Sequence, residues 1–266
     1  MYSIIVGLYN HRNYLPSLIE SLNQQTCKDF EVHFCDDKST DTTEQYLCGM
    51  SNLAFKWHYH RRKFKRGMEL GKNLNQGIKK ANGQYCIFVM GDSYLHPQFI
   101  ETINSYIDED IVICGLRQHV DQDEDMVVDV DYRLRIGMIP THPAILPKDA
   151  FKMITGNGLV VPTKALREVG GWPEIRGYGG DDNILVTKLL LKGYIIMSVP
   201  QAVVYHFYHR AQELTIKNKK YVANTIDNLY FGFSRSRLHA TRLRLLAGLE
   251  KVLSKIKGYL LPHSTA

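Results

Sequence analysis

Carboxylates and imidazoles placed at the ends of predicted strands and loops are the groups in this chain best suited to chemistry. Asp36 and Asp37 follow the run at 30–35, Asp92 follows the run at 85–90, and Asp181 and Asp182 open a helical stretch after Gly177-Tyr178-Gly179-Gly180. His206 and His209 stand three apart after the run at 194–204. A positioned carboxylate can take a proton from a reacting hydroxyl. Two adjacent ones at a helix start project in different directions, so that one can serve as base while the other orients a hydroxyl. Oxygen and imidazole ligands together suit Mn²⁺ or a similar divalent ion, with Asp92 and the histidines as ligands. Taken singly, each carboxylate has an ordinary use in a turn or helix cap. Their order along the chain, each at the end of an element, is what points to a site.

The elements that must position these groups follow from periodicity. Residues 3–6 form a short β-branched run, and Leu15, Leu18, Ile19 and Leu22 recur at helical spacing after it. The spacing then predicts a strand at 30–35, a helix start at 42–47, a strand at 56–60, a helix at 68–81 stopped by Asn82-Gly83, and a strand at 85–90. Such alternation implies a parallel, doubly wound sheet, in which ligands bind beyond the carboxyl ends of the strands. The acidic segment 118–131 lacks clear periodicity and is expected to be an exposed loop or irregular excursion. A short apolar stretch at 156–162, a helix at 163–169 closed by Gly170-Gly171, a helix to 192, and a strand at 194–204 complete the body. From about residue 212 the pattern is helical and basic, and there is no internal repeat. The first loop, Gly7-Leu8-Tyr9-Asn10, lacks the glycines that cradle phosphates in dinucleotide and nucleoside triphosphate loops. Phosphate bound there must be neutralised by a cation or by basic side chains.

Three stretches, SIIVGLYNHRNYLPSLIESLNQQTCKDFEVHFCDDKSTDTT, GKNLNQGIKKANGQYCIFVMGDSYLHPQFI and NGLVVPTKALREVGGWPEIRGYGGDDNILVTKLLLKGY, resemble family 2 glycosyltransferases in this order over about residues 3–209. The last of them is similar to the Gly-Trp-Gly-Gly-Glu-Asp region of galactosyl- and N-acetylgalactosaminyl-transferases and chondroitin-synthase-like domains. The resemblance implies an α/β GT-A fold, a Rossmann-like and mostly parallel central sheet flanked by helices, with a C-terminal helical extension. It implies a catalytic domain at 1–211, with a nucleotide-binding half at 1–92 and an acceptor half at 93–211, and an extension at 212–266. The implied activity is inverting, metal-dependent transfer of a sugar from a UDP-sugar of the Gal, GalNAc or Glc type to a hydroxyl of a glycan or glycolipid.

Residue by residue, the resemblance implies that the Leu8-Tyr9 backbone and Asp36 or Asp37 hold the base, with Lys72 near the nucleotide or its phosphates. Gly91 would adjoin the nucleotide, and Asp92 would bind the Mn²⁺ or Mg²⁺ that bridges the diphosphate. His206 or His209 would supply a further metal ligand. Asp182 matches the general base, and Asp181, standing where Glu is usual, would contact acceptor or donor hydroxyls. Trp172, Tyr178 and Gly180 are expected near the sugar, with Trp172 either stacking on a sugar face or packing in the core. Arg210 is expected to approach the diphosphate. One departure matters: Met90 replaces the first Asp of the Asp-x-Asp metal motif. That change implies weaker metal or nucleotide binding, or compensation by another residue, or the alternative of a catalytically weakened nucleotide-sugar or glycan-binding module on the same fold.

Composition bounds what else the chain can be. Its 266 residues, 44% hydrophobic and 23% charged, supply a full core and argue against disorder or low complexity. The net charge of +6 is unevenly spread. Residues 210–266 hold eleven basic and three acidic residues, which leaves residues 1–209 at about −2. An acidic body without an aromatic and basic platform argues against nucleic acid as a partner. In the tail Leu238, Leu245, Leu246, Leu249, Val252, Leu253, Ile256 and Leu260 recur at helical spacing among Arg242, Arg244, Lys251, Lys255 and Lys257. Such a basic amphipathic helix suits an anionic membrane surface, a protein partner, or packing on its own domain. Five cysteines without CxxC spacing are expected to be free thiols in a reducing compartment. No run approaches the ~20 apolar residues of a spanning helix, so a cytoplasmic chain, peripheral to the membrane at most, is expected.

Overall fold

The computed structural model describes residues 1–51, 53–63, 69–121, 127–130, 140–146, 154–175 and 180–207. The element order is β1 (Tyr2–Leu8), α1 (Leu15–Asn23), β2 (Phe30–Asp36), α2 (Thr43–Cys48), β3 (Lys56–Arg61), α3 (Leu70–Ile78), β4 (Tyr85–Met90), β5 (Ser93–Leu95), α4 (Phe99–Asn104), β6 (Ile111–Val120), β7 (Val127–Val130), β8 (Ala144–Ile145), β9 (Leu159–Pro162), α5 (Thr163–Val169), α6 (Asp181–Leu191) and β10 (Ile195–Phe207). The strands form one sheet in the order β3-β2-β1-β4-β9-β6-β10-β5, with β7 paired to β6 and β8 to β10. Strands β3, β2, β1 and β4 run parallel. β9 lies antiparallel between β4 and β6, while β6 and β10 are parallel to each other.

Every residue of β1 is buried, because a central strand with helices on both faces has no polar side to show. Side chains alternate between faces along a strand. Ile4, Val6 and Leu8 meet Leu15, Leu18 and Leu22 of α1 in one apolar layer. Ile5 points the other way, into a layer with Leu74 and Ile78 of α3, Trp172, and Leu185, Val186 and Leu189 of α6. Gly77 lets α3 sit close on β2, since a Cβ there would lie 2.7 Å from Cys35 Sγ and 3.0 Å from His33 Cβ.

The α/β layering expected from the alternation is present. The described residues within 118–131 differ from the expected loop or irregular excursion: β6 runs on to Val120 and β7 pairs back on it at 127–130, as the β-branched residues there favour. Periodicity assigns nothing to 99–117, yet these residues hold α4 and most of β6. The division at 92 falls inside one continuous sheet. Cys35, Cys86 and Cys114 are buried, Cys27 is partly so, Cys48 is exposed, and all five are free thiols. Among the described residues no helix is long and apolar enough to cross a membrane. The expected extension at 212–266 lies outside the described residues.

Candidate active site

The parallel strands place their carboxyl ends on one rim of the sheet, where a cavity of about 260 Å³ opens. Gly7 and Leu8 line it at the end of β1 with Tyr9 just beyond, Asp37 after β2, Met90 at the end of β4 with Asp92 beyond it, and His206 near the end of β10. The start of α3 closes another side with Glu69, Leu70 and Asn73, and His11 completes the wall. This is the crevice that parallel sheets use for ligands.

The two loops at the first strand ends are tied together. Asn10, at φ 56°, accepts at its Oδ1 from the Thr40 and Asp41 backbone N–H groups, and its own N–H donates to Ser39 Oγ at 2.9 Å. Arg12 N–H donates to Asp41, and Asp37 N–H donates to the Leu8 carbonyl. Although burial pushes the other way, the hydrogen bonds from Thr43 and Arg12 hold the Asp41 carboxyl below the usual range.

Asp36 and Asp37 therefore have different surroundings. Asp36 is fully buried, and its Oδ1 accepts from the Ser39 N–H and hydroxyl at 2.9 and 2.6 Å. Its Oδ2 accepts from the Tyr59 hydroxyl at 2.6 Å. Burial, then this bond to the carboxylate, raise the Tyr59 pKa, so the phenol stays a donor. Asp36 thus organises the loop, and of the pair it is Asp37 that lines the cavity. Arg62 bridges Asp37, at 2.5 Å, to Glu69, and Lys72 pairs with Glu69 at 2.7 Å. Hydrogen bonds from Lys72 and then Arg62 bring the Glu69 carboxyl down to about 2. Lys72, expected near the nucleotide or its phosphates, is paired with Glu69 and is not among the residues that line the cavity.

Asp92 Oδ2 lies 3.5 Å from His206 Nε2. His206 is opposite His119 in the β10–β6 register, and their Nδ1 atoms approach to 3.3 Å. A carboxylate and an imidazole converging on one wall fit a divalent ion with mixed oxygen and nitrogen ligands. His206 lies within β10 rather than after the last strand, because the strand continues to Phe207. Gly91 is the point where the β4 turn crosses the first loop: its N–H donates to the Gly7 carbonyl at 2.9 Å. A Cβ there would lie 2.3 Å from His11 Nδ1.

Asp181 and Asp182 occupy the first turn of α6, after Gly180 at φ 84°. Asp182 Oδ2 accepts from the Gly156 N–H at 3.0 Å. The next residue, Asn157, accepts from the Met90 N–H and donates to Ser93 Oγ. Asp182 is thus linked to the turn carrying Asp92 through Gly156 and Asn157, although it is not itself among the residues that line the cavity. Asp181 is buried, and its Oδ2 accepts from the Trp172 indole N–H at 2.7 Å. Burial raises its pKa.

One open alternative is decided here and one expectation changes. Trp172 is 1% exposed and packs on Phe88 with ring centroids 4.5 Å apart, so it has no face to offer a sugar. Asp181 faces this tryptophan rather than an open hydroxyl site. Tyr178, His209 and Arg210 lie outside the described residues. His11, Arg62, Glu69 and Asn73 were not apparent as site residues from spacing. The Lys-x-Leu-Asn-like pattern at 72–75 signals the right helix but not the residues of it that face the cavity.

Comparison with known proteins adds the family. Residues 3–154 match the model of glycosyl transferase family 2. An uncharacterized glycosyltransferase of Rickettsia conorii is 28% identical over 180 residues, which cover 63% of this chain and 28% of the relative. The chain therefore spans little more than a quarter of that relative's length. Among solved structures, S. aureus TarS in complex with UDP-GlcNAc superposes with a TM-score of 0.69 at 19% identity, covering 91% of this chain and 68% of TarS. GalNAc-T7 with UDP, GalNAc and Mn²⁺ superposes with a TM-score of 0.59 at 16% identity, covering 79% of this chain and 44% of the other. The strand-end cavity lies on a GT-A fold, and more than half the chain carries one family's sequence pattern: this protein belongs to glycosyltransferase family 2.

Proposed function

We propose that the protein moves a hexose of the Gal, GalNAc or Glc type from a UDP-sugar to a hydroxyl of a glycan or glycolipid, with inversion and with a divalent cation. The observation that carries this reading is the convergence of Asp92 and His206 in the same cavity as Asp37 and the Leu8-Tyr9 loop. Asp37 would accept from the base N–H, and the Leu8-Tyr9 backbone would frame the base. Asp92 and His206 would hold Mn²⁺ or Mg²⁺, with His119 orienting the imidazole. When bound, the cation offsets the charge of the departing diphosphate. Asp182 would take the proton of the acceptor hydroxyl, positioned by Gly156 behind it, while Asp181 and Trp172 fix the start of α6. The UDP-sugar and Mn²⁺ named in the comparison structures support this choice of donor and cation. Peripheral binding to an anionic membrane through residues 238–266 belongs to the same proposal and rests on their sequence pattern.

Replacing Asp182 with Asn tests the assignment. General-base loss costs about 10²–10⁴ in rate, so UDP release from UDP-sugars in the presence of acceptor glycans should fall by that factor with UDP affinity retained. Full turnover by this variant would sink the base assignment. Met90 favours a second reading, a binding module, because it lines the cavity where the first acidic residue of the metal motif is usual. Wild-type chain that binds UDP but releases none from any UDP-sugar, with or without Mn²⁺, would select that reading. Neither binding nor release would overturn both.

A further inference from the structure

Away from the donor cavity, β2 and β3 carry a cluster that the transfer reaction does not use. Glu31 and His33 lie on one face of β2, and His58 stands opposite His33 in the β2–β3 register. His33 Nε2 is 3.1 Å from Glu31 Oε1, and His58 Nε2 is 3.7 Å from Glu31 Oε2. Ligand atoms of these three residues all lie within 4.8 Å of one another. Glu31 and His33 are 2% and 1% exposed, and His58 Nε2 is buried with no hydrogen-bond partner among the described residues. An imidazole nitrogen without a partner, turned toward a buried carboxylate already carrying a second imidazole, is an arrangement that costs stability unless something fills the gap.

We propose that Glu31, His33 and His58 form a zinc site at the amino end of β2, separate from the donor cavity. Glu31 lies five residues before Asp36, roughly 17 Å along an extended strand. Two imidazoles and a carboxylate are a ligand set that tetrahedral zinc takes, with a water in the remaining position. Nitrogen ligands favour zinc over magnesium and calcium, which prefer all-oxygen sites.

The surroundings act as supports for such a site. His33 Nδ1 lies 2.9 Å from His60 Nε2, so His60 can accept the Nδ1 proton and leave the Nε2 lone pair for the ion. Ser3 Oγ and the Asn82 N–H both donate to Glu31 Oε1 at 2.8 Å, fixing the carboxylate. The three rings stack, with His33 centroids 4.9 Å from His58 and 5.2 Å from His60. The site has a way in: among the described residues β3 is the edge of the sheet, and the His58 side chain is 36% exposed.

The test uses full-length chain stripped with EDTA and dialysed against equimolar zinc, with bound metal counted by atomic emission. Wild type and Asp92→Asn should each retain one zinc. Loss of groups that only orient a ligand costs about 10–100-fold in affinity, so His58→Gln, which loses a ligand, should weaken zinc binding by at least about a hundredfold. Zinc that leaves with Asp92→Asn and stays with His58→Gln would place it in the donor cavity and overturn the proposal, as would wild-type chain that retains none. X-ray absorption on zinc-loaded Asp92→Asn chain decides independently of how the histidine variant folds: two imidazoles per zinc support the site, and one or none overturns it.

Discussion

At the scale of single residues, neighbouring carboxylates are given unlike tasks by their hydrogen bonds. Asp36 spends both oxygens on Ser39 and Tyr59, which leaves Asp37 to face the cavity. Asp181 spends one oxygen on the Trp172 indole beneath α6, while Asp182 faces the Gly156 backbone. Trp172 thus acts on the site from within the core. Trp172→Phe keeps an aromatic ring against Phe88 but removes the donor to a buried carboxylate. A buried polar group left without its partner costs about 1–3 kcal/mol. The variant should lose stability of that order in urea denaturation and release UDP more slowly, with UDP affinity unchanged. Wild-type stability in Trp172→Phe would show that Asp181 does not depend on the indole.

At the scale of elements, the site is a meeting of loops and one helix, held by ions. Arg62 after β3 joins Asp37 after β2 to Glu69 at the start of α3, and Lys72 adds a second cation to Glu69. The Glu69 carboxyl, ordinarily at 4.5, is brought down to about 2. A carboxyl depressed in the folded state adds stability above its unfolded pKa, and that contribution is lost as pH falls through the folded value. The stability gap between wild type and Glu69→Gln should therefore hold steady from neutral pH to about 5 and close between about 5 and 2. Denaturation midpoints measured across that range check it, and a gap indifferent to pH would mean that the pairing is not what stabilises the wall. None of these partners is visible from spacing, because 37, 62 and 69 converge only through the fold. Strand ends and their acids were legible, since β1 and β4 are buried on both faces and read as nearly continuous apolar runs, while β2 keeps Phe30, Val32 and Phe34 in alternation around Glu31 and His33. The β6–β7 hairpin was obscured by the acidic residues between its strands. The burial of Trp172 was left open because stacking on a sugar and packing in a core leave the same mark in a sequence.

At the scale of the whole molecule, charge is divided along the chain: about −2 in residues 1–209 and +8 in residues 210–266. The body places Asp37, Glu69 and Asp92 around the cavity, an acidic setting that favours a cation and makes Arg62 and Lys72 useful as counter-charges. The tail lies outside the described residues, and its sequence decides what to ask of it. Basic residues close to an anionic lipid surface contribute about 1 kcal/mol each, so the five in 238–266 supply at most about 5 kcal/mol before the apolar face is counted. That is enough for reversible attachment and too little for permanent anchoring. Full-length chain should float with vesicles containing phosphatidylglycerol and remain behind with neutral phosphatidylcholine vesicles. Raising ionic strength to about 1 M shortens the screening length to about 3 Å and should release much of the bound protein. A chain ending at residue 237 should lose flotation while still releasing UDP from its donor sugar. If the shortened chain floats as well as the full one, or neither floats, the tail does not serve as a membrane contact. If it loses UDP release together with flotation, the tail is part of the catalytic body, and its basic residues are to be sought near the diphosphate.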